Sequence, residues 1–560
     1  MNDINGSSEL DSYPSLAQTL LKNRGIVTRS AAEKFLNPDY ERDVYDPFLM
    51  LGMERAVSRI MAAIEARERI AVFGDYDCDG IPGAVILNDF FNKIGYSHFQ
   101  IYIPHRHTEG YGMNIPAVEK LAEEGVKLLI TVDCGITEVR EVARASELGM
   151  EVIVTDHHIP GEVLPLASVI INPKQKGDAY PDPMLCGAGV AWKLVCALLS
   201  RGGKTWGVPL GYEKWLLDMA GLATIADMVP LQNENRVLAA YGLTVLRKSR
   251  RIGLKKLLIA IGTAQANITE DDIGFTIGPR INAASRMGTP IDAFRLLATT
   301  DEQEAEELAD HLVHLNETRK GLVASMVKEA RKHLDGRKVG DDLREVIVVG
   351  NPSWKPGLAG LVAGTLATAY ARPTFVWGRA EDGLIKGSCR SDGTCNVVEM
   401  MSAVRAGVFL DIGGHALAGG FSVEGDRIHT LEDELVSVCQ TSVMIKEREE
   451  QMIDVTLSLN EVNFAMWNIV ERFAPFGVGN PRPVFLFEKV RVSDVRTFGK
   501  EGVHLELGFE GARVKAVTFF AEEKYMKLKT GDTLDLIATM ELNTFRGKRE
   551  LRLRMVDVVH

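Results

Sequence analysis

The chain has 560 residues, enough for several domains, and 46% hydrophobic with 25% charged residues is typical of globular proteins. It contains no run of about 18 apolar residues, which a membrane span would need, and its first residues lack the basic and apolar regions of a signal peptide. A net charge of −12 argues against nucleic acid as a partner, unless carboxylates are neutralised by metal ions or a basic groove is local.

The first part of the chain predicts a helical lead-in followed by a parallel sheet. Residues 1–45 are assigned to the lead-in and residues 46–298 to the first large domain. In that domain the β-branched runs "RIAVF", "KLLITV" and "EVIVT" lead into "GDYDCDG", "DCG" and "DHH". Helix-like stretches lie between them, such as "GAVILNDFFNKIG" and "TEVREVARASELG", the latter with Thr137 as a candidate N-cap. This alternation predicts βαβ units.

The remaining chain predicts three further parts and completes an α/β multidomain fold. Residues 299–340 are charged and rich in helix formers, which indicates a helical connector. Residues 341–445 predict a second α/β domain that contains the glycine-rich "DIGGHALAGGF". Residues 446–560 contain short strand-like runs with turn signals, which predict a small β-barrel, with the OB-fold as one candidate.

Polar residues follow three strands of the predicted sheet, where ligands of open α/β sheets bind. They are Asp75, Asp77, Asp79, Asp133, Asp156, His157 and His158. A lone aspartate after a strand is more often a turn former or helix cap, and a lone histidine more often structural. Neither alternative explains three successive strand ends of this kind. Two Mn²⁺ or Mg²⁺ ions about 3.5–4 Å apart would neutralise these carboxylates and suit attack on phosphorus.

The same residues resemble a known family. "GDYDCDG", "TVDCG" and "TDHH" are similar to the motifs of the DHH phosphoesterase superfamily, and "LATIADMVPLQNENR" resembles its fourth motif, with Asp227. "GFTIGPRINAASRMG", "GSCRS", "GGHALAGGF", "PFGVGNPRPVF" and the domain order resemble the RecJ family of single-stranded-DNA exonucleases. The resemblance implies a 5′-to-3′ exonuclease that releases mononucleotides in DNA recombination and repair, with a DHHA1-type second domain.

The resemblance also implies roles for individual residues. The implied metal ligands are Asp77, Asp79, Asp133, His157 and Asp227, with Asp75 close by as a ligand or a neighbour of one. Asp133 and Asp227 are candidates to bridge both ions. Asp156 would orient an imidazole, and His158 would face the scissile phosphate.

Phosphate and DNA contacts are expected from three regions. Arg280 and Asn282 belong to the first domain, and Ser388, Arg390 and His415 to the second. Any one of these arginines can instead be a surface ion pair. In "NTFRGKRELRLR", Phe545 and Arg546 suggest a platform for stacked bases, although a solvated strand face would show the same alternation.

Some positions depart from the family pattern or are weaker candidates. Lys355 stands where histidine is usual, Ser285 where glycine is usual, and Cys78 where the residue is usually small. Arg106 and Asn114, in "IPHRHTEGYGMN", are further active-site candidates.

Rival functions and partners remain open at this stage. A phosphodiesterase for short RNA or cyclic dinucleotides would not need the terminal β-domain, and the same holds for an inorganic pyrophosphatase. A non-catalytic single-strand-binding scaffold would be expected to lose metal ligands, and none is missing. Seven cysteines without a CxxC pair favour a cytoplasmic protein. The family further suggests single-stranded DNA, a single-strand-binding protein and a recombination helicase as partners of a monomer, with no membrane involved.

Overall fold

The structure is a computed structural model that describes residues 9–337, 343–380, 383–439, 453–499, 502–543 and 549–559. None of the helices in these ranges combines the length and the apolar character that crossing a membrane requires.

The N-terminal helices pack on the far end of the chain. They are α1 (Ser15–Asn23), α2 (Arg29–Leu36) and α3 (Tyr40–Asp43). Leu20 and Leu21 are fully buried in one apolar cluster with Phe485 and Phe487 of the C-terminal domain. The first and last parts of the sequence therefore share a core.

The first domain is built on a five-stranded parallel sheet in the order β2-β1-β3-β4-β5. Its strands are β1 (Ile70–Gly74), β2 (Phe99–Tyr102), β3 (Leu128–Val132), β4 (Glu151–Thr155) and β5 (Val169–Ile171). The three predicted strands are β1, β3 and β4, which are neighbours, so their carboxyl ends meet at one edge. The predicted parallel sheet is confirmed.

Helices cover both faces of this sheet and extend beyond it. They are α4 (Met53–Ala66), α5 (Gly80–Lys93), α6 (Ile115–Glu123), α7 (Val139–Glu147), α8 (Gly187–Gly202), α9 (Leu217–Ala226), α10 (Asn233–Leu246), α11 (Ile252–Ile261), α12 (Glu270–Asp272), α13 (Gly278–Met287) and α14 (Ile291–Ala298). A π-helical turn, Ile273–Ile277, joins α12 to α13. The predicted cap at Thr137 is wrong, because α7 begins after Glu138 without a side-chain cap and the Thr137 hydroxyl donates to the Glu138 carboxylate instead.

A single long helix leads to the second domain. It is α15 (Glu302–Asp335), 34 residues long, and the Asp301 carboxylate caps it by accepting from the Glu304 amide at 2.7 Å. The elements that follow are β6 (Ile347–Gly350), α16 (Pro356–Tyr370), β7 (Thr374–Arg379), β8 (Ile385–Arg390), α17 (Val397–Ala403), β9 (Asp411–His415), β10 (Ala418–Val423) and α18 (Leu431–Cys439).

The sheet of the second domain is mixed, in the order β6-β7-β8-β10-β9. The glycine-rich stretch forms the antiparallel β9–β10 pair. Gly414 has φ of 131°, and a Cβ there would lie 2.4 Å from the Ala418 carbonyl oxygen. At least this glycine is therefore required by the hairpin itself.

The last domain is a small barrel. Its elements are β11 (Val455–Thr456), α19 (Phe464–Glu471), β12 (Val484–Phe498), β13 (His504–Phe509), β14 (Ala516–Thr518), α20 (Glu523–Met526), β15 (Thr533–Asn543) and β16 (Glu550–Val559). Antiparallel pairing of β12 with β15 and parallel pairing of β14 with β16 connect the strands around a ring, as in an OB-fold. The predicted fold class is confirmed.

Candidate active site

Carboxylates and imidazoles meet at the edge of the first sheet. Three overlapping groups each place their ligand atoms within 4.8 Å of one another: Asp75 with Asp77 and Asp133, Asp79 with His157 and Asp227, and Asp133 with His157 and His158. From His157 Nε2 the distances are 3.1 Å to Asp133 Oδ1, 3.6 Å to Asp79 Oδ2 and 3.7 Å to Asp227 Oδ2. The structure thus brings together all six residues that the sequence suggested for metal.

Backbone amides hold two of these aspartates in place. Asp79 accepts from the amides of Gly187 and Ala188 at 2.6 and 2.7 Å, at the start of α8, where a negative charge is stabilised. Asp77 Oδ1 accepts from the Asp79 amide at 2.8 Å. A Cβ at Gly187 would lie 2.5 Å from the Asp133 Cβ, so no larger residue fits there.

Asp133 occupies an uncommon backbone conformation. Its φ is 63°, in the left-handed region that residues other than glycine rarely adopt. Its side chain is buried, and its amide donates to the Thr155 carbonyl oxygen at 3.0 Å, which ties it to the end of β4. Such backbone strain is concentrated at functional sites.

Several atoms of this cluster are buried without a hydrogen-bond partner within the described residues. They are Asp75 Oδ1, Asp133 Oδ1 and both ring nitrogens of His157. An unsatisfied buried polar atom costs about 1–3 kcal/mol, so native proteins rarely leave four together. Carboxylate oxygens with one imidazole are donors that suit Mn²⁺ and Mg²⁺. The cluster therefore fits divalent cations.

Burial and mutual repulsion shift the titration of the cluster. Burial, followed by the charges of neighbouring aspartates, raises the pKa of Asp75 and Asp133 well above the ordinary value, that of Asp79 to about 6 and that of Asp227 to about 9. Burial and the charge of His158 lower the pKa of His157 to about 3, so its imidazole is neutral and able to bind metal.

Cys78, which stands where the family pattern usually has a small residue, has a buried side chain beside the cluster. Burial raises the pKa of Cys78 well above its ordinary value, so its thiol stays protonated in the metal-free protein, and Cys78 belongs to none of the three ligand groups.

Asp156 orients His158. Asp156 Oδ1 lies 2.8 Å from His158 Nδ1 and accepts from the backbone amides of His157 and His158, while Oδ2 accepts from the Ile136 amide. Burial disfavours the imidazolium, but the hydrogen bond and charge of Asp156 outweigh it and raise the pKa of His158. The Tyr111 hydroxyl lies 3.3 Å from this ring and donates to the Asp133 carbonyl oxygen, a contact that no sequence motif indicated.

Lys174 is a site residue that sequence reasoning missed. It follows β5, and although burial lowers the pKa of Lys174, the charges of Asp227 and Asp156 act to raise it. Because the carboxyl ends of neighbouring parallel strands meet at one edge, Lys174 would have been predicted there if β5 had been recognised in the sequence. In the second domain, burial and then the charges of His158 and Lys174 lower the pKa of His415.

The polar residues of α13 lie on two sides of the helix, one towards the loop after β1 and the other towards α15. Asn282 Oδ1 accepts from the Cys78 amide at 2.9 Å, and Arg286 lies one turn later on the same face. Burial lowers the pKa of Arg286 to about 10, whereas the charge of Asp77 acts to raise it. Arg280 instead donates to the Thr276 carbonyl oxygen at 2.7 Å and lies 4.0 Å from Glu317 of α15. The i, i+4 spacing from Asn282 was the signal for Arg286.

The structure also gives the contacts of the other residues that the sequence singled out in these two domains. Ser388 and Arg390 alternate on one face of β8, and a Cβ at Gly360 of α16 would lie 3.0 Å from Arg390 Nη2. Asn114 caps α6 by accepting from the Ala117 amide. The Ser285 hydroxyl donates to the Asn282 carbonyl oxygen at 3.1 Å, so serine is accommodated there.

The proposed base platform at Phe545 and Arg546 lies outside the described residues. An aromatic patch is present elsewhere on the barrel, formed by Phe498, His504, Phe519 and Phe520. The guanidinium groups of Arg552 and Arg554 lie 5.4 and 5.3 Å from the Phe519 ring centroid. Sequence reasoning missed this patch, although adjacent phenylalanines at the end of a strand run were a signal.

Comparison with known proteins first defines the class. A family model described as the DHH family, N-terminal domain, matches residues 69–224, and one described as the DHHA1 domain matches residues 344–441. A third, the RecJ OB domain, matches residues 453–557. The fold and the acidic edge of its first sheet are therefore those of a DHH phosphoesterase.

Full-length relatives narrow the class to one family. The single-stranded-DNA-specific exonuclease RecJ of Bacillus subtilis is 35% identical over 97% of this chain and 67% of that protein, and RecJ of Haemophilus influenzae is 32% identical over 92% of each. The crystal structure of RecJ in complex with Mn²⁺ from Thermus thermophilus matches with a TM-score of 0.81 and 28% identity, covering 97% of this chain and 76% of that one. The chain belongs to the RecJ family.

Proposed function

We propose that this chain is a metal-dependent exonuclease that hydrolyses single-stranded DNA from its 5′ end and releases 5′-mononucleotides, in recombination and repair. The observation that carries the proposal is the buried cluster of carboxylates and His157, whose unpartnered atoms fit divalent cations, in a chain of the RecJ family. The relatives are named single-stranded-DNA-specific exonucleases, and a solved relative is described with Mn²⁺.

The cluster divides into two places for Mn²⁺ or Mg²⁺. Asp79, His157 and Asp227 would hold one ion, and Asp75, Asp77 and Asp133 the other. Asp133 Oδ1 is 3.1 Å from His157 Nε2, so this carboxylate adjoins both groups and would contribute to holding either ion. When bound, the ions lower the pKa of an attacking water and neutralise charge on the phosphoryl oxygens.

The protein side chains bind and orient the phosphate. His158, held by Asp156 and favoured as an imidazolium, donates a hydrogen bond to the scissile phosphate as charge develops on it. Arg286 and Arg390 supply further positive charge, and arginine can bind phosphate through two parallel hydrogen bonds. Ser388, Asn282 and His415 complete the proposed contacts. Arg280, which faces α15, is left with a supporting role at most in this proposal.

We expect the single-stranded DNA to lie along the second domain and the barrel. A hydrogen bond from Arg286 Nη1 to the Gly357 carbonyl oxygen joins the two α/β domains, and His107 Nε2 contacts the Arg286 carbonyl oxygen within the first domain. A narrow cleft between the two domains would admit one strand and exclude a duplex. The aromatic patch would then stack bases further along the strand.

The remaining assignments are also proposals. We propose that the chain has five parts: the helical lead-in (1–45), the first α/β domain (46–298), the helical connector (299–340), the second α/β domain (341–445) and the C-terminal barrel (446–560). We expect a monomer that acts in the cytoplasm together with a single-strand-binding protein and a recombination helicase. All seven cysteines are free, which supports a reducing compartment.

The test uses a duplex with one 5′ single-stranded tail, labelled at its 5′ end, in the presence of Mn²⁺. We expect labelled mononucleotide from this substrate and no product from a matched 3′-tailed duplex. Asp79→Ala should abolish release, because it removes a group held by two amides inside the cluster. Asp310→Ala, which alters an exposed aspartate of α15, is the control and should retain full activity. A strand that is bound but never degraded would favour the scaffold function instead.

A further inference from the structure

Lys174 lies at the acidic edge of the first sheet, although none of the contacts described so far gives it a task. It follows β5, the outer strand of the sheet, and β5 runs parallel to β4, with Ile171 opposite Thr155. The carboxyl ends of neighbouring parallel strands lie together. The chain after Ile171 therefore runs beside the "DHH" motif that follows β4.

Asn172 fixes the place of Lys174 relative to His158. The Asn172 side chain is fully buried, its Nδ2 donates to the His158 carbonyl oxygen at 2.9 Å, and its Oδ1 accepts from the Lys174 amide at 2.8 Å. Pro173, between the two, restricts the backbone further. A single side chain thus holds the main chain at Lys174 next to the main chain at His158.

The Lys174 side chain is half-buried, and within the described residues it makes no hydrogen bond and no ion pair. Burial lowers the pKa of Lys174, and the charges of four aspartates act through space to raise it: Asp227, Asp156, Asp133 and Asp79. If its task were to neutralise these carboxylates, it would be expected to contact one of them, because attraction is strongest at contact distance. The ammonium instead keeps its three donors for another anion.

The anion that reaches this edge in the proposed reaction is the scissile phosphate. Carboxylates repel a phosphodiester, so cations beside the cluster are needed to hold it. Such cations follow both outer strands of the sheet. Lys174 follows β5, and Arg106 follows β2, with its guanidinium 5.0 Å from the ring centroid of Tyr76, which stands between Asp75 and Asp77. Donors of this kind stabilise most where negative charge develops on phosphoryl oxygens in the transition state.

We propose that Lys174 is a catalytic residue whose ammonium binds a non-bridging oxygen of the scissile phosphate, and that Asn172 positions it. The identity of this phosphate rests on the proposed function. Hydrolysis adds the oxygen of one water to phosphorus, breaks the bond from phosphorus to the 3′ oxygen and leaves a proton on that oxygen. Lys174 neither gains nor loses a proton in this step.

Steady-state kinetics on a short single strand, with the full-length chain and Mn²⁺, test the role. Lys174→Met should lower kcat about 100-fold and change KM by less than about threefold, because the contact strengthens in the transition state. Lys174→Arg, which restores a cation, should recover at least about a tenth of wild-type kcat. Lys176→Met, at an exposed lysine of the same loop, is the matched control and should follow wild type. Equal kcat in Lys174→Met and wild type overturns the proposal.

Metal affinity distinguishes a contact with phosphate from a structural role. Mn²⁺ is titrated calorimetrically into the chelator-treated protein without DNA. Lys174→Met should bind Mn²⁺ at least as tightly as wild type, because the variant removes a positive charge beside the ions. Weaker Mn²⁺ binding together with a lower kcat would show that Lys174 supports the metal site, which would overturn the proposal.

A binding measurement separates this proposal from the proposed function. Thymidine 5′-monophosphate, whose phosphate carries more than one negative charge, is titrated into the Mn²⁺-loaded protein. Lys174→Met should raise its Kd about tenfold, and Lys176→Met should leave it unchanged. If wild type degrades no strand but this difference in Kd is present, the proposed function alone fails. If no strand is degraded and the Kd is the same in both proteins, the role of Lys174 is overturned as well.

Discussion

The aspartates of the cluster make the stability of the metal-free protein depend on pH. Their folded-state pKa values are raised, to about 6 for Asp79 and about 9 for Asp227, so the folded chain binds more protons than the unfolded one. The contribution of these two groups to stability is then greatest below the ordinary carboxyl pKa of about 4 and decreases as the pH rises towards 9, by up to about 1.4 kcal/mol per pH unit for each group. His157, whose pKa is lowered to about 3, contributes in the opposite direction up to its ordinary pKa of about 6.5.

We therefore expect the thermal midpoint of the chelator-treated protein to fall between pH 5 and pH 9. The increment produced by Mn²⁺ should grow over the same range, because metal binds the deprotonated ligands. Asp79→Asn should flatten the dependence, since it removes one titrating group. Calorimetric scans at matched ionic strength test this, and a midpoint independent of pH in the metal-free protein would contradict it.

A variant of Asp156 can test the orientation of His158 separately from metal binding. It touches His158 and three backbone amides and belongs to none of the three ligand groups. Asp156→Asn should lower kcat by about 10–100-fold, because His158 loses the partner that fixes its ring. Mn²⁺ affinity, measured by calorimetry, should change much less than it does in Asp133→Asn. Equal losses of metal affinity in both variants would show that Asp156 acts through the metal site.

At the scale of elements, the sequence predicted which side chains meet at the edge of the first sheet because one simple rule governs it. Parallel neighbouring strands deliver their ends to one edge, and β1, β3 and β4 follow that rule. The rule was not applied to β5, a strand of only three residues, so Lys174 was missed. The sequence argument named Arg280 and did not consider Arg286, although both lie in "GFTIGPRINAASRMG"; the helix phase relative to Asn282 distinguishes them.

Arg236 of α10 joins elements that the sequence places far apart. Its guanidinium donates to the carbonyl oxygens of Phe35, Phe473 and Ala474 at 2.6, 2.9 and 3.0 Å and is buried. Arg236→Met should destabilise the protein by roughly 3 kcal/mol, because it removes a buried donor and leaves the partly buried carbonyl oxygens of Phe35 and Ala474 without it.

Denaturation in urea measures this loss. Limited proteolysis should also cut the N-terminal helices faster in Arg236→Met. The control is Arg201→Met, which removes a half-exposed partner of Glu54 and should cost less than about 1 kcal/mol. A similar loss of unfolding free energy in both variants would mean that Arg236 does not hold these distant elements together.

For the whole molecule, the domain types were predictable but their contacts were not. Each domain has its own periodicity and motifs, whereas the core that Leu20 shares with Phe485 depends on contacts between residues more than 400 positions apart. The same limit applies to the proposed base platform: "LRLR" lies in β16, but the aromatic neighbour of its arginines is Phe519, which follows β14 and is distant in sequence.

The aromatic patch leads to a prediction that depends on substrate length. Phe520 is 78% exposed with φ of 55°, and the guanidinium groups of Arg552 and Arg554 lie near the Phe519 ring, so bases can stack there while phosphates meet positive charge. A strand must be long enough to reach from the metal cluster to the barrel. Phe519→Ala should weaken binding of long single strands about tenfold, as expected for the loss of one stacked base at roughly 1–3 kcal/mol.

Short strands should not detect the change, since they occupy only the cleft. The measurement is kcat/KM on a series of strands of increasing length, where wild type and Phe519→Ala should coincide for the shortest and diverge above a threshold. Phe464→Ala, at an exposed phenylalanine of α19 outside the patch, should follow wild type throughout. Divergence at every length would place the effect on the fold of the barrel, whereas coincidence at every length would mean that the strand leaves the cleft by another path.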